Sequence, residues 1–174
     1  MYKNVLIASA LVALAATVAW ADDVTIGDES SPVSLTTPYN SIHEDEDPFK
    51  GRLNLYFAND SLENYYGVQF TIFGVSGGSD PSHVLFVTSG TYYPTSSQTI
   101  SSVFVDNLAV GGPTMKVWFS GDPVLPEDMG WVKIYTDNTQ DKGRFGVAIS
   151  PLVPEPMTMA LLGAGAVALI RRRK

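Results

Sequence analysis

The apolar residues of this chain recur with a period of two, and that period limits what it can fold into. In Arg52–Phe57 the residues Leu53, Leu55 and Phe57 alternate with polar or aromatic neighbours, and in Gly67–Ile72 Val68, Phe70 and Ile72 do the same. Such alternation gives a strand one buried and one outer face. Val84–Val87 is a short continuous apolar run, followed by Ile100–Val105, Met115–Phe119, Trp131–Tyr135 and Phe145–Ile149. Turn-forming clusters separate them: Asn59-Asp60, Gly74–Pro81, Tyr93-Pro94, Gly111–Pro113, Gly121–Pro123 and Asp137–Gly143. No helical period longer than two turns occurs outside the two termini. Short strands between regular turn signals predict an all-β fold, an antiparallel β-sandwich of about 7–9 strands. A helix is expected at each end, one of a signal peptide and one crossing a membrane.

The N-terminal segment has the order of a secretory leader. Lys3 supplies the positive start, Val5–Val18 the apolar stretch, and Ala19-Trp20-Ala21 the small-residue exit before Asp22-Asp23. Cleavage after Ala21 is expected. The chain then divides into a leader (1–21), a secreted domain (22–152, its first part 22–47 acidic and loop-rich) and a tail (153–174).

The tail reads Val153-Pro154-Glu155-Pro156, then an uncharged run Met157–Ile170, then Arg171, Arg172, Arg173 and Lys174. Each proline fixes φ near −65° and disfavours the α region for the residue before it, so Glu155 sits on a stiff extended stalk. A helix over 157–170 would be about 21 Å long, short of the roughly 30 Å hydrocarbon core. Bilayer thinning, and cationic side chains reaching to the interface, make up such a deficit. The basic cluster is expected to stay cytoplasmic. These three features, in this order and spacing, resemble the PEP-CTERM sorting signal of Gram-negative-type bacteria. The resemblance implies recognition by an exosortase-like, membrane-embedded processing enzyme. It also implies export across the inner membrane, transient anchoring, and transfer to the cell surface or extracellular matrix. Bacteria with this system typically make exopolysaccharide and biofilm, so an exopolysaccharide is the second expected partner.

Charge and composition exclude several functions. The chain has 11 basic and 18 acidic residues, but Lys3, the four tail cations and Glu155 lie outside the domain. The domain keeps 6 basic and 17 acidic residues, a net −11, which argues against nucleic-acid binding. There is no cysteine, hence no disulfide, thiolate metal site or cysteine nucleophile. His43 and His83, the two histidines, do not make a multi-histidine site. No cofactor is implied.

Candidate sites are few. His43-Glu44-Asp45-Glu46-Asp47 offers carboxylates that suit calcium, but lacks the alternating loop spacing and is closed by Pro48. It reads better as a solvated acidic loop. Asp137-Asn138 with Asp141 reads better as a hairpin turn ending at Gly143 than as a calcium loop. Asn59-Asp60-Ser61 has the form of a glycosylation sequon, but with a bacterial tail it reads as a turn. Nothing pairs two carboxylates or a nucleophile with a base, and the G-x-S-x-G and phosphate-loop patterns are missing.

The aromatics Trp118, Trp131, Tyr65-Tyr66 and Tyr92-Tyr93 either fill the core or present flat faces to a sugar. If Met115–Phe119 and Trp131–Tyr135 pair as a hairpin with their aliphatic faces joined, the other side gathers Lys116, Trp118, Trp131, Lys133 and Tyr135. A two-residue shift of that register would set Trp118 against Lys133, a cation–π contact. The expected function is a secreted, non-enzymatic structural or adhesive protein. A carbohydrate-binding module is the alternative, and a small polysaccharide hydrolase a second one.

The acidic stretch 22–47 carries eight carboxylates and no lysine or arginine, and such a run repels itself rather than closing on an ion. Calorimetric titration with calcium is expected to show no saturable binding at micromolar ion. Saturable heat lost on changing Asp45 and Asp47 would reverse that reading.

Overall fold

A computed structural model describes residues 23–45, 50–139 and 143–153, with the side chains of 44, 45 and 50 left aside. The expected leader with Ala19 and Ala21, and the tail from Pro154 to Lys174, lie outside the described residues. No helix among the described residues is long and apolar enough to cross a membrane.

The regular structure of the described chain is almost entirely β, arranged as two sheets. The first sheet runs β1 (Asp23–Ile26), β4 (Lys50–Ala58), β10 (Met129–Asn138), β6 (Val84–Val87). Within it β2 (Val33–Ser34) pairs with β4, and β7 (Thr95–Ser96) pairs with β10. The second runs β3 (Tyr39–Asp45), β11 (Gly143–Pro151), β5 (Gly67–Phe73), β9 (Thr114–Phe119), β8 (Ile100–Asp106). Two short 3-10 turns, Pro81–His83 and Gly90–Tyr92, interrupt the connections.

All seven runs read from the alternation are strands, β4, β5, β6, β8, β9, β10 and β11. The predicted inner residues are the core: Leu53, Leu55 and Phe57 from β4, with Val132 and Ile134 from β10, on one side. Facing them are Val68, Phe70 and Ile72, Met115 and Val117, and Phe145, Val147 and Ile149 from the second sheet. Burying each of these side chains contributes about 1.5–3 kcal/mol.

Four expectations need correction. The described residues hold eleven strands rather than 7–9, and the pairing is not wholly antiparallel, because β1 and β2 both run parallel to β4. The chain leaves β2 for β3 in the second sheet and returns along β4, so its direction on re-entry repeats that of β1 and β2. The acidic stretch, expected to be loop-rich, carries β1, β2 and β3 within its described residues 23–45. Its carboxylates at Asp23, Asp28 and Glu29 are exposed. Asp23 is exposed and ion-paired with Arg52, while Val24 and Ile26 pack inward. His43 is buried edge-to-face on Phe145, with ring centroids 5.1 Å apart. The link from Asp137 to Gly143 is likewise no hairpin, since β10 and β11 belong to opposite sheets.

One end of the sandwich is held by a buried amide. The Asn59 side chain, fully buried, donates to the carbonyls of Glu63 (2.8 Å) and Val124 (2.9 Å). Its oxygen accepts from the Ser61 backbone N–H (3.1 Å) and hydroxyl (2.7 Å). The sequon is thus a closed turn whose asparagine nitrogen is already committed. Asn59→Asp replaces two donors by oxygen facing carbonyl oxygen. The expected cost is roughly 3 kcal/mol, a fall of about 10 °C in Tm by thermal denaturation. The exposed Asp60→Asn change is expected to leave Tm within error.

Candidate functional site

The outer face of the first sheet is set by the β4–β10 ladder. Its register places Tyr56 opposite Trp131, Asn54 opposite Lys133 and Arg52 opposite Tyr135. All six side chains are half-buried. Residues directly opposite on one face stand about 4.5–5.5 Å apart at Cβ, so Tyr56 and Trp131 form a cross-strand aromatic pair. Tyr135 extends the aromatic line and meets Tyr92 edge-to-face, with centroids 5.4 Å apart at 80°. From Trp131 to Tyr135 the strand advances about 13 Å.

Trp118 is not part of this face. β9 and β10 do not pair; they lie in opposite sheets, and Trp118 and Lys116 are on the outer face of the second. There Trp118 stands between Gly67 and Ser102, and Lys116 between Gln69 and Phe104. The reason is the connection Ser120–Gly130. It carries Val124 into the core, where the Val124 and Tyr65 backbones bond reciprocally at 3.0 Å. A loop pinned between the sheets delivers β10 to the far one. The Trp118–Lys133 contact expected from a hairpin therefore does not form, whereas Trp131, Lys133 and Tyr135 do share one face.

Two hollows flank the Tyr56–Trp131 pair. One, of about 140 Å³, is lined by Asn54, Tyr56, Trp131 and Lys133. The other, of about 350 Å³, is lined by Tyr56, Trp131, Met129, Ser97 and the carboxylates Asp28 and Glu29. Ser97 fixes the tryptophan backbone, donating its N–H to the Trp131 carbonyl (3.0 Å) and accepting the Trp131 N–H at its hydroxyl (3.0 Å). Asp28 Oδ1 accepts from the Ser30 N–H (2.7 Å), the Ser30 hydroxyl (2.6 Å) and the Ser31 N–H (2.8 Å). These bonds, the Ser30 hydroxyl first, hold its carboxyl below the ordinary 3.8. A lowered folded pKa means that the contribution of this carboxylate is present above the ordinary value. It is lost only as pH falls through the lowered one. Asp80 is lowered in the same way, by the Ser82 N–H and then the Ser82 hydroxyl, in a turn away from this face.

Asp28, Glu29, Tyr56, Ser97 and Met129 were not singled out from sequence. The alternation of β4 turns Tyr56 outward, but only the strand order makes it a neighbour of Trp131. Among the described residues no group of three or more histidine or acidic side chains is placed to hold a metal ion.

Gly27 brings the Asp28 turn against β4. Its φ is +69°, and a Cβ there would lie 2.7 Å from the Tyr56 carbonyl oxygen. Gly77, at φ +72°, has open space around it. Gly77→Ala is expected to cost about 1 kcal/mol for backbone strain alone, and Gly27→Ala roughly 3 kcal/mol because strand β4 must also shift. Paired denaturant titrations measure the difference.

Neither the curated proteins nor the solved structures contain a match to this chain. Residues 152–174 match the family model of the PEP-CTERM protein-sorting motif. The match covers the tail segment, with Pro154, Glu155, Pro156 and the cluster Arg171, Arg172 and Arg173 inside it. It implies an exosortase-sorted chain, processed at the membrane and then held at the cell surface or outside the cell.

Proposed function

We propose that this chain is an exported surface or matrix protein whose β-sandwich has a non-enzymatic, structural or adhesive role. In this reading the leader is cut after Ala21, the tail anchors the chain in the inner membrane, and an exosortase-like enzyme releases the folded domain. The observation that carries it is the junction between domain and tail. β11 ends at Pro151, and the next residue is still held: the Leu152 N–H donates to Gly67 (2.9 Å), and its carbonyl accepts from the Tyr66 N–H (2.8 Å). Val153 packs on the core. The fold thus extends to the residue before Pro154, which supports reading the sandwich as the cargo of the sorting tail.

Asp28 and Asp80 are exposed, and hydroxyl and amide groups of their own turns hold both carboxyls below the ordinary value, so each serves its turn. An exopolysaccharide or biofilm matrix is the proposed destination.

Glu155→Ala, made in the native host, is expected to leave the tail attached and the protein with the membrane fraction, as read by intact mass and fractionation. A mature mass and release identical to the parent's, apart from the substitution, would overturn exosortase sorting.

A further inference from the structure

The Tyr56–Trp131 pair separates two hollows that both open on one sheet face. Their linings differ in a useful way. The smaller one offers the Asn54 amide and the Lys133 ammonium, and the larger one the Ser97 hydroxyl and two carboxylates. Asp28 uses Oδ1 within its own turn, and its Oδ2 has no hydrogen-bond partner among the described residues. Flat half-buried rings with acceptors and donors on both sides suit a ligand with apolar faces and a hydroxylated rim. A pyranose ring is built that way: axial C–H groups cover its faces and hydroxyls its edge.

Charge narrows the class. The domain carries a net −11, and Asp28 is held ionised beside the larger hollow. A polyanion would be repelled on approach. We propose that the outer face of the first sheet binds a neutral polysaccharide chain. Its sugars stack on Trp131 and Tyr56, and Asp28 Oδ2, Asn54 and Lys133 hold their hydroxyls. The two hollows supply adjoining subsites, and the larger volume lies within the range of small-ligand sites, about 300–1,000 Å³. This inference rests on the adhesive reading and deepens it by naming the ligand class.

The test uses the mature protein recovered from its host and four neutral probes: cellohexaose, laminarihexaose, chitohexaose and maltohexaose. Tryptophan emission is followed in the parent, in Trp118→Phe and in Trp131→Phe. At least one probe is expected to shift the emission of the parent and of Trp118→Phe with similar affinity, and to leave Trp131→Phe unchanged. Tyr56→Ala, checked for folding by circular dichroism, is expected to weaken calorimetric binding roughly tenfold. Polygalacturonate is expected not to bind. No response of the folded parent to any of the four at millimolar concentration overturns the proposal, as does a response that follows Trp118. Preference for polygalacturonate overturns the neutral ligand class. Glu155→Ala reports on sorting alone, so failure here is distinguishable from failure of the sorting reading.

Discussion

Nine consecutive residue pairs join β4 to β10, from Ala58 with Met129 to Lys50 with Asp137. This is the longest ladder among the described residues, and its register decides both faces of the first sheet. Leu53 meets Ile134 and Leu55 meets Val132 on the inside, while Tyr56 meets Trp131 outside. A slip of one residue would send every one of these side chains to the wrong face. The aliphatic pairs lose far more on exposure than the aromatic pair gains on burial. The core therefore fixes the register, and the outer groove follows from it.

The second sheet closes the core from the other side and has its own interior strand. β11 is paired along both edges, with β3 and with β5. Its inner residues Phe145, Val147 and Ile149 are fully buried. Gly146 turns outward on the same strand, where a Cβ would fall within 2.2 Å of the Phe73 ring. The ring lies across the strand at that point, which only glycine allows.

Every strand whose alternation is strong was legible in the sequence. β1, β2, β3 and β7 were not, for a physical reason. β2 and β7 are two residues long, too short for any period to show. β1 and β3 lie among carboxylates, where mean charge hides the alternation of Val24 with Ile26 and of Tyr39 with His43. Strand order was the harder quantity. A local pattern tells which way Trp118 and Trp131 point relative to their own strands. It does not tell that Val124 and Tyr65 lock the intervening loop between two sheets. That long-range pairing splits the expected aromatic face, leaving Trp131, Lys133 and Tyr135 together and replacing Trp118 by Tyr56.

The position of the tail has a mechanical consequence. The described chain ends just after β11, so force applied through the C-terminal residues enters at a strand paired on both sides rather than at an edge. Detaching β11 means breaking its ladders with the edge strand β3 and with β5 together, and exposing three fully buried side chains, about 1.5–3 kcal/mol each. The first resistance is local: the Leu152 bonds to Gly67 and Tyr66, backed by the Phe119 N–H on the Tyr66 carbonyl (2.9 Å). Tyr65, one residue earlier, is locked to Val124, and Val124 to the Asn59 amide. The end of the fold at Val153 is therefore tied by backbone bonds and by a buried amide. A domain handled through its C-terminus is best secured there.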